Sequence, residues 1–143
     1  MKYILAYTAI AATVSLIALQ AHAAAKLQDV TLECNANGTV SVEYSIIGAG
    51  TGTSADVSLT GDALFGCATR GTNPPGQQQA DIDASGTDSA NRQGRIEGSL
   101  TSSPRPTCRG NQVPFAEYSN LVFEAVLDNG DEVSRNLGSI RCP

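Results

Sequence analysis

The sequence has no tryptophan, one methionine, one histidine and only four tyrosines and three phenylalanines in 143 residues. The histidine, His22, and the methionine, Met1, both fall in an N-terminal stretch that reads as a removable leader. What remains has no imidazole to shuttle protons. A Ser-His-Asp or Cys-His mechanism is therefore excluded, and so is a catalytic zinc held by histidines. No CxxC pair is present, which removes the usual zinc-ribbon and redox motifs. No segment carries a sustained helical period with caps, and beyond the leader no apolar run is long enough to cross a bilayer.

The leader itself is well marked. Lys2 supplies the positive start, Ile4 to Leu19 is almost wholly apolar, and Ala21-His22-Ala23 gives the small-x-small cleavage pattern. The apolar run of about 16 residues falls short of the roughly 20 that span a membrane. Residues 1–23 are expected to be a signal peptide and 24–143 one secreted domain, extracellular or periplasmic, with no membrane association after processing. Loss of Lys2 leaves eight of the nine basic residues against fourteen acidic ones. An acidic surface repels phosphate, so no nucleic-acid partner is expected.

Four cysteines stay with the mature chain: Cys34, Cys67, Cys108 and Cys142. An even count in a small secreted chain points to two disulfides, with three connectivities open. The preferred pairing is Cys67–Cys108, since both residues border proline-rich stretches, with Cys34–Cys142 tying the first strand to the last residues. No metal and no cofactor is expected.

Several segments alternate apolar and polar residues, the mark of a half-buried strand. Val30, Leu32 and Cys34 alternate with Asp29, Thr31 and Glu33; Val40, Val42, Tyr44 and Ile46 alternate with Thr39, Ser41, Glu43 and Ser45. Asn37-Gly38 lies between them. A two-residue loop would put Leu32 opposite Glu43 and mix the faces. A three-residue loop with Gly38 left-handed pairs Leu32 with Val42 and Val30 with Tyr44, which sorts them. The same rule applied to Leu121–Leu127 and Glu132–Leu137, across Asp128-Asn129-Gly130, pairs Ala125 with Val133 and Leu121 with Leu137. Further short strands are expected at Val57–Leu59, Ala63–Phe65, Ala80–Ala84 and Ile96–Leu100. Gly48–Thr53 reads as a loop, with no Lys-Ser/Thr pair after it to make a phosphate cradle. Seven or eight short strands predict an all-β fold, an antiparallel β-sandwich that is immunoglobulin-like in broad architecture, with an antiparallel barrel as the alternative.

Three motifs are candidates for chemistry. Asp81-Ile82-Asp83-Ala84-Ser85-Gly86 follows the first half of a calcium loop through Asp81, Asp83 and Asp88, but its twelfth position is Arg92; the plainer reading is a strand with Asp outward, ending in a glycine turn. Asn37-Gly38-Thr39 matches an N-glycosylation acceptor, although the turn already accounts for Asn-Gly. Pro104-Arg105-Pro106 before Cys108 could present an arginine on a braced loop, the geometry of a protease inhibitor. Carboxylate pairs could in principle hydrolyse glycosides at about 5–9.5 Å separation, yet most of the acidic residues lie on polar strand faces.

The layout resembles small secreted bacterial β-domain proteins. The resemblance is carried by Cys34-Asn35-Ala36-Asn37-Gly38-Thr39-Val40, by Cys67 leading through Asn73 to Pro75-Gly76-Gln77, and by Cys108 preceding a pair of strands. It covers most of residues 30–127. Such proteins often have a tryptophan soon after the third cysteine, where this chain has Val113 and Phe115. The resemblance implies a secreted β-domain and no particular activity.

Together these observations lead to the expectation of a non-catalytic binding or interaction module, with an extracellular protein or carbohydrate as partner. The candidate binding residues are Arg70, Asn73 and Gln77 on the first long loop and Arg105, Arg109 and Asn111 on the second. A Cys67–Cys108 bridge would bring these loops together. The alternatives are a carboxylate-based glycoside hydrolase and a secreted effector or protease inhibitor.

Overall fold

The computed structural model describes residues 24–68, 78–102, 108 and 110–142. The expected signal peptide, residues 1–23, lies outside them. Seven strands run in the order β1 (Lys26–Cys34), β2 (Val40–Ile47), β3 (Ser54–Ala68), β4 (Gln78–Ser89), β5 (Ile96–Thr101), β6 (Val113–Leu127) and β7 (Glu132–Cys142). They form two antiparallel sheets, β1-β2-β5 and β4-β3-β6-β7, with no helix among the described residues. The sandwich reading holds and the single barrel does not. The sheets touch along both edges, β4 against β5 and β1 against β7.

The core is the set of inward positions that alternation predicts. Val40, Val42, Tyr44 and Ile46 of β2 face Ala55, Val57 and Leu59 of β3 and Leu121, Phe123, Ala125 and Leu127 of β6, all buried. Tyr44 and Phe123 stack across the two sheets with ring centroids 4.7 Å apart. Phe65 meets Tyr118 edge-on at 6.0 Å. Such aromatic pairs contribute about 0.5–1.5 kcal/mol beyond the area they bury.

Both hairpins close as the faces require. Val30 pairs with Tyr44 and Leu32 with Val42. Asn35 N–H donates to the Thr39 carbonyl at 2.8 Å and Gly38 N–H to the Asn35 carbonyl at 2.9 Å, with Gly38 at φ 77°. The turn after β6 repeats this geometry: Leu127 N–H donates to the Asp131 carbonyl, Gly130 N–H to the Leu127 carbonyl, and Gly130 has φ 91°. Asn91–Arg95, between β4 and β5, closes in the same way.

The departures from expectation have one main cause. β6 begins at Val113, well before the expected Leu121, because its phase changes partway. Ala116 and Tyr118 point inward, and then Leu121, Phe123 and Ala125 do. The extra residue is Asn120, a bulge at φ 53° whose side-chain amide donates to Asp62 at 2.6 Å. A one-residue insertion moves every later side chain to the opposite face, so the alternation is broken in sequence although the strand continues. Gly61 lies opposite the bulge, where an added Cβ would come within 2.9 Å of Leu121 and of the Ser119 carbonyl oxygen. β7 adjusts as well: Leu121 pairs with Gly138 rather than with Leu137. The two short strands expected at Val57–Leu59 and Ala63–Phe65 are one long β3. Gly86 is not a turn but an internal residue of β4, opposite Val57.

Candidate functional site

The two ends of the sandwich are built differently, and the candidate residues belong to one of them. At that end β1, β3 and β7 finish and β2, β4 and β6 begin. Both disulfides lie there, Cys34–Cys142 with Cα atoms 5.5 Å apart and Cys67–Cys108 at 5.7 Å. The first joins the two sheets, β1 to β7. The second ties the end of β3 to the segment that leads into β6. Cys142 is fully buried and opposite Ala116, one rung from Pro114, which pairs with Cys67. No free cysteine is left among the described residues. Two disulfides are consistent with an oxidising compartment, extracellular or periplasmic.

Of the six candidate binding residues only Asn111 is described; it is exposed in the turn before β6. Arg70, Asn73, Gln77, Arg105 and Arg109 lie outside the described residues. The segments that carry them leave the fold at this end, since residues 69–77 connect β3 to β4 and residues 102–112 connect β5 to β6.

Beside those connections the structure shows a feature that alternation alone did not single out. The outer face of the four-stranded sheet carries an open groove of about 400 Å³, lined among others by Asp62, Leu64, Gln79, Glu117, Ser119 and Arg141. The register explains the grouping: Leu64 sits between Gln79 of β4 and Glu117 of β6, and Glu117 in turn opposes Arg141 of β7. Arg141 pairs with Glu117 at 3.2 Å and lies 5.5 Å from the centre of the Phe115 ring. That ring covers Gly66, where any Cβ would overlap it. The groove thus has an apolar patch in Leu64 and a polar rim of carboxylates, an amide, hydroxyls and a guanidinium, and the Phe115 ring lies beside it under Arg141. The sequence signal was Leu64 itself, an apolar residue on the polar face of its strand.

The carboxylates do not assemble into a metal site. Among the described residues no three His, Cys, Asp or Glu side chains converge on one point. Asp81 and Asp83 are exposed on an extended β4, so the half-matched calcium loop is a strand. Asp88, the third residue of that motif, turns inward and accepts a hydrogen bond from the Tyr44 hydroxyl. Burial, together with that bond and the charge of Asp88, holds the Tyr44 phenol well above the ordinary tyrosine value. Asp62 and Asp81 are direct cross-strand neighbours on the outer face. Asn37 keeps its acceptor oxygen on Thr39, taking hydrogen bonds from its N–H at 3.1 Å and its hydroxyl at 2.6 Å, and the residue is exposed.

At the opposite end the loops are short and tied to each other. Ala49 N–H donates to the Gly94 carbonyl at 3.0 Å, Ala90 N–H to Thr53 at 2.8 Å and Asp128 N–H to Ser54 at 2.9 Å. The Asn129 amide reaches the Ala49 carbonyl at 3.3 Å. The connections at this end are closed on one another.

No protein-family model and no curated protein matches the chain. Among solved structures, the chain is similar to Spo0M, a sporulation control protein from Bacillus subtilis, over 84% of its own length and 49% of that protein's. The identity is 16% and the TM-score 0.31. The chain therefore spans about half of that protein, and a likeness at this level carries no functional weight.

Proposed function

We infer that the protein is a secreted, non-catalytic binding module of immunoglobulin-like strand order, held at one end by two disulfides and binding its partner there. The observation that carries this reading is the groove over Leu64, on the outer face toward the disulfide-bonded end from which the two longest connections depart. A rigid sandwich presenting long loops beside a shallow polar groove suits an extended ligand, an extracellular polysaccharide or a protein segment. The basic residues of the loops, Arg70, Arg105 and Arg109, would supply charge that the acidic body lacks. Cysteine pairing and the small-x-small motif at Ala23 support secretion.

The test is a binding screen of the immobilised protein against polysaccharides and extracellular proteins. A retained ligand should be lost, by about tenfold or more in Kd, in the Arg70→Ala/Arg109→Ala double variant and in Glu117→Ala. Undiminished binding in both would move the site elsewhere.

One observation favours a second reading, a carboxylate-pair hydrolase: Asp62, which lines the groove, is the cross-strand neighbour of Asp81. Against it, Asp81 is exposed, and Asp62 is occupied by the Asn120 amide. A general acid needs an apolar pocket to keep its proton near neutral pH. Turnover on a polysaccharide panel, abolished in Asp81→Asn, would establish the hydrolase instead.

A further inference from the structure

The first described residues of the chain are tied to the loops at the hydrogen-bonded end. Ala25 is buried at 7% exposure, and its backbone N–H donates to Asp131 Oδ2 at 2.9 Å. That carboxylate is held from its other side: Asp131 N–H donates to Asn129 Oδ1 at 2.9 Å, and the Asn129 amide spans Asp131 Oδ2 and the Ala49 carbonyl. Asp131 Oδ1 has no hydrogen-bond donor among the described residues, and no lysine or arginine there pairs with Asp131. A partly buried carboxylate with a vacant oxygen therefore waits one peptide unit from the nitrogen of Ala24. The small-x-small motif places a cleavage point at that same bond.

We propose that cleavage between Ala23 and Ala24 creates a structural ion pair, the new α-ammonium of Ala24 with the carboxylate of Asp131, which completes the loop network at this end. Water adds across the Ala23–Ala24 amide under an endopeptidase that accepts small residues at the first and third upstream positions. The acyl half leaves as the Ala23 carboxylate, and the amine half takes up a proton. The inference rests on the secreted reading for the cleavage, but the pairing is tested separately.

The charged groups on the elements packed around this position are Lys26 of β1, Asp128 and Asp131 of the turn, Glu132 of β7, and Arg92 and Arg95 of the β4–β5 turn; residues 48–53 contribute none. The processed chain has no histidine and its cysteines are bonded. The α-amine, ordinarily near pKa 7.7–8.0, is then its only group titrating between about pH 6 and 9. A carboxylate partner raises that value in the folded state. The stabilisation is full below about pH 8 and is lost as pH rises through the folded value.

The experiment uses full-length chain secreted and recovered from an expression host. Intact mass should place the N-terminus at Ala24; another terminus overturns the proposal, since the paired amine would not exist. For the pairing, thermal midpoints are measured from pH 6.5 to 9.5. The processed protein should lose about 3 °C across this range, while Asp131→Asn should be flat. A second variant with Gly-Ser inserted between Ala23 and Ala24 keeps Asp131 intact but moves the amine away, and it should also be flat. A pH dependence that is equal in all three, or absent from the processed protein, overturns the pairing.

Discussion

One end of this sandwich is held by covalent bonds and the other by backbone hydrogen bonds, and the difference follows from loop length. Where the connections are short, as in residues 48–53, 90–95 and 128–131, main-chain groups of neighbouring turns reach one another directly. Where they are long, as in residues 69–77 and 102–112, Cys67–Cys108 ties one connection to the strand end that opens the other, and Cys34–Cys142 joins the two sheets at the same end of the sandwich. Long loops can then leave the fold at that end without loosening it, which is why the proposed binding is placed there.

Breaking the covalent end should have the largest effects. Loop-closure entropy depends on the number of residues enclosed, and the two bridges enclose sequence separations of 108 and 41. The Cys34→Ala/Cys142→Ala pair should lose about 5 kcal/mol and Cys67→Ala/Cys108→Ala about 4. Urea unfolding of the two double variants gives the order directly, and a reversed order would show that native packing rather than chain entropy decides.

Next comes the buried tyrosine that braces this end from inside. The Tyr118 hydroxyl donates to the Gly38 carbonyl at 2.6 Å, reaching from β6 into the first hairpin turn. Tyr118→Phe leaves that buried carbonyl without this donor and should cost about 1–3 kcal/mol. No change in the urea midpoint would mean that water replaces the hydroxyl.

At the hydrogen-bonded end single changes should be milder. Asn129→Ala removes the amide bridge to Ala49 and the acceptor for Asp131 N–H, and about 1 kcal/mol is expected. A loss as large as that of a disulfide variant would erase the distinction between the ends.

The last effect is read from its pH dependence and lies at Tyr44. Its raised folded value means that it keeps its proton where an unfolded tyrosine loses it. Its contribution is therefore complete below about pH 10 and is lost as the solution becomes more alkaline. Tyr44→Phe should flatten the stability profile above pH 10, relative to the unaltered chain, in pH-jump unfolding. An unchanged slope would assign the alkaline loss to other groups.

How much of this was legible in the sequence depends on whether a residue's partner is local. The hairpin registers at Val30–Tyr44 and Ala125–Val133 follow from alternation and a three-residue turn, both local properties. The disulfide pairing followed from which cysteines border long loops. β6 before Leu121 was not legible, because Asn120 reverses the phase and the cause, its contact with Asp62 and the space at Gly61, lies on another strand. Asp88 resembled a calcium ligand in sequence because nothing local shows that it meets Tyr44, 44 residues away. The groove was hidden for the same reason. Leu64, Glu117 and Arg141 come from three strands, and only the register brings them side by side.

The distinction between the two ends is tested most directly by hydrogen exchange, followed by mass spectrometry, on the oxidised protein and on the protein after mild reduction. Reduction should release protection in residues 64–67, 113–117 and 140–142, while the amides of Ala49, Ala90 and Asp128 keep theirs. Loss of protection at Ala49, Ala90 and Asp128 in step with the disulfide end would contradict the account, because the short loops would then depend on covalent bonds at the far end of the sandwich.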